Sequence, residues 1–240
     1  MSAIDEGTSL KLLLGQPVNI DGINIYSPTL NEIISVGYDT YNYGLSSLLF
    51  DKSLFEDLKE IKEPNFDLMI HFFVKDESFR KSIETGSRLI FKEEITVDMI
   101  NDQPCFVLGK TLINASSLEE IQRMIKIANR IPDKKPEDEF NPGNSKAREL
   151  MNKILKDRAS RAPKKPTTNL YSIISGLSWK SNGVNILEIG NLTIYQVYDG
   201  FYRMENIDHY NGILTGIYTG NIDSSKIKLQ ESAWTKIIDQ

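Results

Sequence analysis

The hydrophobic pattern near the start of the chain predicts a β-hairpin. Positions 18, 20, 23 and 25 are apolar and alternate with polar residues. The Asp21-Gly22 pair lies midway and is typical of a two-residue turn between antiparallel strands. The sequence therefore predicts two short strands at residues 18–20 and 23–25.

A long helical pattern follows the hairpin. Apolar residues recur every three or four positions from Leu30 to about residue 50, with an expected bend near Gly37. Two helix starts fit the sequence. Ser27 offers an N-cap followed by proline, and Thr29 with Glu32 fits a capping box.

The pattern from residue 54 to residue 130 alternates between helices and one more hairpin. Amphipathic spacing predicts helices at 54–61, 66–73 and 78–91. Alternation at 95–99 and an apolar stretch at 105–108, separated by Asn101-Asp102, predict the second hairpin. A capping box at 116–119 then begins a helix expected to end near Arg130.

Apolar periodicity stops after this helix. Residues 132–139 are charged and contain proline, which is typical of a linker or loop, and a helix is predicted at 145–158. The last third is helical again, with an apolar face at 170–177. Asn191 is predicted to cap a helix through residue 202, and Asp208 a further helix that ends at Gly220.

These elements predict a mainly α fold with two small β-hairpins and helical, bundle-like units. We expect three regions: an N-terminal hairpin-plus-helices unit at 1–131, a charged middle with one helix at 132–168, and a C-terminal helical unit at 169–240.

Composition excludes few classes of protein. The chain has 240 residues and a net charge of −5, which disfavours bulk attraction to nucleic acid. Cys105 is the only cysteine, so we expect a buried structural thiol and no intrachain disulfide. The sequence shows no signal peptide and no apolar stretch that spans a bilayer, so we expect a cytoplasmic protein that does not enter the membrane.

Motifs for catalysis, cofactors and metals are absent from the sequence. His71 lies among apolar residues and is expected in a core or interface. His209 follows Asp208, which fits either an Asp–His hydrogen-bonded pair or capping of the next helix by Asp208. No zinc-ligand spacing, phosphate-binding glycine loop or nucleophile elbow occurs. The sequence therefore predicts a protein that is not an enzyme and that binds no cofactor.

Two segments are candidate binding sites. A basic stretch that includes Arg158, Arg161, Lys164 and Lys165 is a weak candidate for phosphate contacts, because it lacks aromatic residues for base stacking. The second is an aromatic run in the last third, with protein-binding candidates Tyr195, Tyr198, Phe201 and Tyr202. Tyrosine is amphipathic and common in protein interfaces, although a helical core explains the same spacing.

Two blocks of the sequence resemble a known family. The first runs from Leu-Leu-Leu-Gly-Gln-Pro at 12–17 through Ile-Tyr-Ser-Pro-Thr-Leu-Asn-Glu-Ile at 25–33 to Tyr41 and Leu49. The second begins with Asn-Leu-Thr-Ile-Tyr-Gln-Val-Tyr-Asp-Gly-Phe-Tyr at 191–202 and continues to Trp234. Together they resemble small proteins of siphophages and prophages of Gram-positive bacteria, which are encoded beside the tape-measure protein and regarded as tail assembly chaperones.

The resemblance implies a partner and a place of action. The partner would be the tape-measure protein or another tail protein, bound in the host cytoplasm without a chemical step. Self-association is also open. A structural neck or tail component of the virion is the main alternative, and a nucleic-acid-binding regulator that uses the basic stretch is a weaker one.

Overall fold

The computed structural model describes residues 4–100, 103–132, 168–180 and 183–236, and within them it is mainly helical with two small antiparallel sheets. This confirms the predicted fold class. In chain order the elements are α1 (Glu6–Leu13), β1 (Val18–Ile20), β2 (Ile23–Ile25), α2 (Leu30–Val36), α3 (Tyr38–Leu48), α4 (Asn65–Lys75), α5 (Glu77–Ile90), β3 (Ile95–Ile100), β4 (Gln103–Leu108), β5 (Thr111–Ile113), α6 (Ala115–Ala128), α7 (Leu170–Lys180) and α8 (Ile194–Tyr218).

The first hairpin forms as predicted. Val18 pairs with Ile25 and Ile20 with Ile23. The turn residues Asp21 and Gly22 both have positive φ, 49° and 87°, as the tight turn requires. The backbone N–H of Gly22 also donates to the side chain of Asn19 at 3.1 Å.

The helix predicted for residues 30–50 is two helices. Thr29 and Glu32 form the predicted capping box at the start of α2, whereas Ser27 lies outside the helix. Gly37 has φ 93° and ψ 134°, a conformation that ends α2 and precedes α3. The expected bend at Gly37 is therefore a complete break, because only glycine adopts these angles readily.

The prediction of a helix at 54–61 was wrong. The chain there forms two 3₁₀ turns, Lys52–Leu54 and Glu56–Leu58. The Lys52 Nζ donates to the carbonyl oxygens of Ile61 at 2.8 Å and Glu63 at 2.7 Å. A tertiary contact to these carbonyls favours the folded-back loop over a short helix that has little intrinsic stability.

Two glycines let α3 and α5 cross closely. A Cβ on Gly44 would lie 2.9 Å from the backbone nitrogen of Gly86, and a Cβ on Gly86 would lie 2.7 Å from the carbonyl oxygen of Gly44. Both distances are too short for real side chains, so the two backbones touch only because both positions are glycine.

The second hairpin also forms and gains a strand that the sequence pattern does not show. β3 pairs with β4 from Ile95↔Leu108 to Ile100↔Gln103, and β5 adds to the other edge of β4. β5 has only three residues, too few for a recognisable alternation. Phe106 on β4 is fully buried against the rings of Phe66 and Phe73.

α6 begins slightly earlier than predicted. Its N-cap is Asn114, which forms a capping box with Ser117, whereas the sequence favoured a box at 116–119. Asparagine and serine satisfy the same backbone donors, so neighbouring polar residues compete as caps. The helix ends at Ala128, close to the predicted end.

The two helices predicted after residue 191 are one helix of 25 residues, α8. Thr193, not Asn191, is its N-cap and forms a capping box with Gln196. Asp208 lies inside the helix and pairs with Lys180 of α7, so it caps nothing. Gly220, with φ 75°, ends the helix as expected.

One hydrophobic cluster contains residues from the start of the chain and from the last third. Leu12, Ile25 and Ile33 belong to it, as do Ile194 and Val197 of α8. The predicted charged middle and its helix at 145–158 lie outside the described residues, and the three-region division stays a prediction. Among the described residues, no helix has the length and apolar character needed to cross a bilayer.

Candidate protein-binding surface

The predicted aromatic contacts separate into a buried residue and an exposed group. Tyr195 is buried at the start of α8, with the Arg130 guanidinium carbon 4.2 Å from its ring centroid. It is therefore part of the core in this structure. Tyr198 and Phe201 are half-buried and Tyr202 is exposed, so these three reach the surface.

The rings on α8 contact each other along the helix. Tyr198 and Tyr202 are stacked with ring centroids 6.4 Å apart, and Phe201 meets Tyr202 edge-on at 5.4 Å. Residues four apart lie on the same helix face, which explains the stack. The spacing in the sequence is sufficient to predict this part of the surface.

Two tyrosines of α3 complete the surface, and the sequence analysis named neither of them as a binding candidate. Tyr38 and Tyr41 have ring centroids 6.4 Å apart, and their hydroxyls lie close enough to Tyr198 to affect its ionisation or be affected by it. We call Tyr38, Tyr41, Tyr198 and Tyr202 the tyrosine cluster. Their three-residue spacing on α3 was the available signal, but only the fold brings Tyr38 and Tyr41 near Tyr198.

The interior of the tyrosine cluster is poorly solvated. Burial is the main cause that raises the pKa of Tyr41 well above its ordinary value, with smaller contributions from Tyr198 and Tyr38. Burial also raises the pKa of Tyr198, followed by the effects of Tyr38 and Tyr202. The Tyr41 hydroxyl donates to Asn129 Oδ1 at 2.8 Å, so its polar group is satisfied inside the protein.

The outer edge of the tyrosine cluster is open to solvent. Tyr38 is 45% exposed and Tyr202 is 39% exposed. A surface of this kind offers apolar ring faces and hydroxyls at low cost in side-chain entropy, which suits protein recognition.

Arg130 attaches the end of α6 to α8 below this surface. It has φ 52°, its side chain is only 5% exposed, and its Nη2 donates to Asp199 Oδ1 at 2.6 Å. Its Nε is buried and has no hydrogen-bond partner among the described residues. A cation in such a place depends on its counterion, so Asp199 fixes the position of α8 and hence of the tyrosines it carries.

The starts of α2 and α8 meet head to head. Thr29 and Thr193, the two N-caps, face each other in an antiparallel bridge. The Leu30 N–H donates to the Leu192 carbonyl at 3.0 Å, and the Ile194 N–H donates to the Pro28 carbonyl at 2.8 Å. We call residues 27–31 and 191–196 the junction. These segments belong to the two sequence blocks that carry the family resemblance.

Side chains bridge the same two segments. Asn31 Nδ2 donates to Asn191 Oδ1 at 3.1 Å, and the Tyr195 N–H donates to Ser27 Oγ at 3.1 Å. Gln196 Nε2 also reaches the carbonyl oxygen of Leu13 at 2.8 Å. The junction therefore positions the first turn of α8 through both backbone and side-chain hydrogen bonds.

Further large apolar side chains lie at the surface of the last third. Trp179 is 83% exposed, and Tyr171, two helical turns earlier on the same face of α7, is also strongly exposed. Leu187 and Tyr218 are exposed to a similar degree. Single exposed apolar residues are ordinary, and these four lie on three different parts of the chain: α7, the loop before α8 and the last residue of α8.

The candidate residues for chemistry are dispersed. His71 and His209 are exposed rather than buried, and the thiol of Cys105 is half-buried rather than fully enclosed. Within the described ranges no three His, Cys, Asp or Glu residues come together in a group able to hold a metal ion. Arg158, Arg161, Lys164 and Lys165 lie outside the described residues, so the nucleic-acid hypothesis stays a prediction.

Comparison with known proteins gives one similarity. No curated protein and no solved structure matches the chain. Residues 162–239 match a family model described as the YomV second domain. The matched range contains α7, α8 and part of the junction, and the name of the family is associated with phages and prophages.

Proposed function

We propose that this is a phage-related protein that binds another protein as a tail-assembly chaperone, with the tape-measure protein as its partner. The observation that carries the proposal is the tyrosine cluster, whose exposed rings are Tyr38 on α3 and Tyr202 on α8, the helix that the junction and Arg130 fix to the core. Rigid aromatic anchors of this type are favourable for binding a helical partner.

Two findings support the phage context. The match of residues 162–239 is to a family whose name is phage-associated. The second segment that resembles tail assembly chaperones lies inside the matched range, and it meets the first segment at the junction, although Asn31 and Asn191 are 160 positions apart in the chain.

The proposed partner fits the physics of the surface. A tape-measure chain has long helices whose apolar stripes have no packing partner until the tail tube encloses them. A chaperone must cover such stripes reversibly, and a surface of tyrosines and exposed apolar side chains does this without a chemical step. We place this activity in the host cytoplasm.

Co-expression with the tape-measure protein of the phage or prophage that encodes this chain tests the proposal. We expect the two proteins to co-purify at moderate salt, and the double variant Tyr38→Ala/Tyr202→Ala to weaken the complex about tenfold or more, as loss of interface anchors does. Tyr43→Ala is the matched control, because Tyr43 is an exposed tyrosine of α3 with no ring contact among the described aromatic pairs. Absence of any complex with the wild-type protein would contradict the proposal.

Mass spectrometry of purified virions separates a chaperone from a structural component. A chaperone is released before the particle is complete, so the protein should be absent from virions. Its presence at a fixed copy number would instead identify a neck or tail component.

A further inference from the structure

β3 is an edge strand, and one side of its backbone points away from the sheet. The strand order is β3-β4-β5, so β3 pairs with β4 on its inner side only. Bonded and non-bonded pairs alternate along an antiparallel ladder, and the Gly109 N–H donates to the Glu94 carbonyl at 3.4 Å. The backbone groups that point away from β4 are therefore those of Ile95, Val97 and Met99.

The outer edge of β3 is open to a further strand. Among the described residues, no hydrogen bond joins the outward groups of Ile95 or Val97 to another part of the protein. The Met99 N–H bonds to the Asp98 carboxylate beside it at 2.8 Å. Proteins usually protect such edges with lysine, proline or a bulge. β3 has none of these, and its six residues pair with β4 without interruption.

We propose that β3 pairs antiparallel with β3 of a second copy of this chain, around a two-fold axis at Val97. The two three-stranded sheets then become one continuous sheet across the dimer. A two-fold axis makes one surface its own partner, and a strand that meets itself this way is antiparallel. This inference goes beyond the proposed function and does not depend on it.

The charges on β3 select the register. Outward backbone groups must face each other, so an axis can lie at any residue of the strand, but axes near its ends pair few residues. An axis at Asp98 places the two Asp98 carboxylates opposite each other, and an axis at Thr96 places Asp98 opposite Glu94. Like charges directly opposite destabilise a strand pair. An axis at Val97 places Asp98 opposite Thr96, whose hydroxyl can donate to the carboxylate.

The same register matches the apolar side chains. Val97 lies opposite Val97 of the second copy, and Ile95 lies opposite Met99. Ile95 is buried in the core, Val97 packs against the core, and Met99 is 61% exposed. Pairing therefore places the exposed Met99 against a buried residue of the other chain. The main-chain hydrogen bonds supply affinity, and the matched side chains supply specificity.

Hydrogen exchange of the unmodified protein tests the inference. In a single chain the Val97 amide faces solvent, so it exchanges rapidly. We expect it to exchange at least tenfold more slowly at high than at low protein concentration, while light scattering gives twice the mass of one chain. Leu112 is the control amide. It points outward from β5, because the bonded pair Leu108↔Thr111 precedes it, and its exchange should not depend on concentration.

A pair of proline variants locates the interface. Val97→Pro removes the central outward donor and no bond to β4, so it should raise the dissociation constant of the dimer at least tenfold. Leu112→Pro is the matched control at the other edge of the sheet and should leave the dimer intact. Circular dichroism confirms that each variant is folded.

Thr96→Lys tests the register. With the axis at Val97, each lysine lies opposite an Asp98 carboxylate, so the dissociation constant should fall several-fold. With the axis at Asp98, the lysine would lie opposite Ile100 and gain no partner. This variant and the exchange of the Val97 amide decide the inference if Val97→Pro does not fold.

The inference is overturned by a wild-type protein that stays monomeric, by exchange of Val97 that ignores concentration, or by equal effects of the two proline variants. An unchanged or weaker dimer of Thr96→Lys would reject the axis at Val97. None of these results bears on the complex with the tape-measure protein, which co-purification tests separately.

Discussion

At the scale of single residues, the Arg130–Asp199 pair differs in burial from the Lys180–Asp208 pair, which involves the same helix, α8. The Arg130 and Asp199 side chains are 5% and 20% exposed, whereas those of Lys180 and Asp208 are 55% and 50% exposed. Removal of one member of a buried pair leaves an uncompensated charge in a poorly solvated place, but an exposed pair is replaced by water.

We therefore expect Asp199→Ala to lower the free energy of unfolding by about 3–5 kcal/mol. Asp208→Ala, the control on the same helix, should lower it by at most about 1 kcal/mol. Urea unfolding followed by circular dichroism measures both values. Similar losses for the two variants would show that the Arg130–Asp199 contact is no more important than a surface pair.

The raised pKa of Tyr41 predicts that the protein loses stability at alkaline pH. Burial raises its pKa in the folded protein, so the folded state keeps the phenol proton more firmly than the unfolded chain does. The stabilisation is complete below the ordinary tyrosine pKa of about 10 and is lost as the pH rises above it. The free energy of unfolding should therefore fall steeply above about pH 10.

Tyr41→Phe is the variant that isolates this effect. At neutral pH it should cost roughly 1 kcal/mol, because the hydrogen bond to Asn129 is lost. Its stability should then fall less steeply than that of the wild type in alkaline solution, although Tyr198 still contributes. Parallel pH profiles for the two proteins would refute the role of Tyr41.

At the scale of elements, the crossing of α3 and α5 depends on having no side chain at two positions. Gly44→Ala places a methyl group 2.9 Å from the nitrogen of Gly86, so the helices must separate. We expect the free energy of unfolding to fall by about 1–3 kcal/mol, as for other overpacked cores. Thermal and urea unfolding measure the change.

Gly212→Ala is the control for helix propensity. Gly212 lies inside α8 and an added Cβ would have nothing within 4 Å, so alanine should stabilise the protein by about 0.5–1 kcal/mol. If Gly44→Ala were neutral or stabilising in the same assay, the close helix crossing would be disproved.

The sequence predicted best those elements that depend on contacts between residues close together in the chain. The Asp21-Gly22 turn and the Thr29–Glu32 capping box were recognised because each depends on residues close in sequence. Three features depended on distant contacts instead. Lys52 folds back the loop near residue 61, β5 forms on an existing strand, and α8 continues past Asp208 without a cap.

The same distinction applies to the candidate surface. The stack of Tyr198 and Tyr202 follows from helical spacing, but burial of Tyr195 depends on Arg130, 65 positions earlier in the chain. Addition of Tyr38 to the cluster requires the fold to bring the start of α3 near Tyr198. Sequence periodicity identifies which residues share a helix face but not which face another helix approaches.

At the scale of the whole molecule, α8 is anchored at one end. Its buried side chains are Ile194, Tyr195 and Val197, all in the first turn, and none of the later residues is fully buried. Hydrogen exchange should therefore be slow near the start of α8 and faster from about Met204 to Tyr218, because local opening exposes few apolar contacts there.

Exchange measured by mass spectrometry or nuclear magnetic resonance checks this gradient. Addition of the partner should slow exchange around Tyr202 if the tyrosine cluster is the binding surface. Uniform protection along α8 in the free protein would contradict anchoring at one end.

The head-to-head bridge of Thr29 and Thr193 also can form only late in synthesis of the chain. The segment around Thr29 leaves the ribosome well before the segment around Thr193, because Asn31 and Asn191 are 160 positions apart in the chain. At about 5–20 residues per second this delay is roughly 8–30 s. During that interval the Leu30 amide and the Pro28 carbonyl lack the hydrogen bonds that they form in the folded protein. A nascent or prematurely terminated chain therefore exposes a short stretch of unpaired backbone that the complete protein buries.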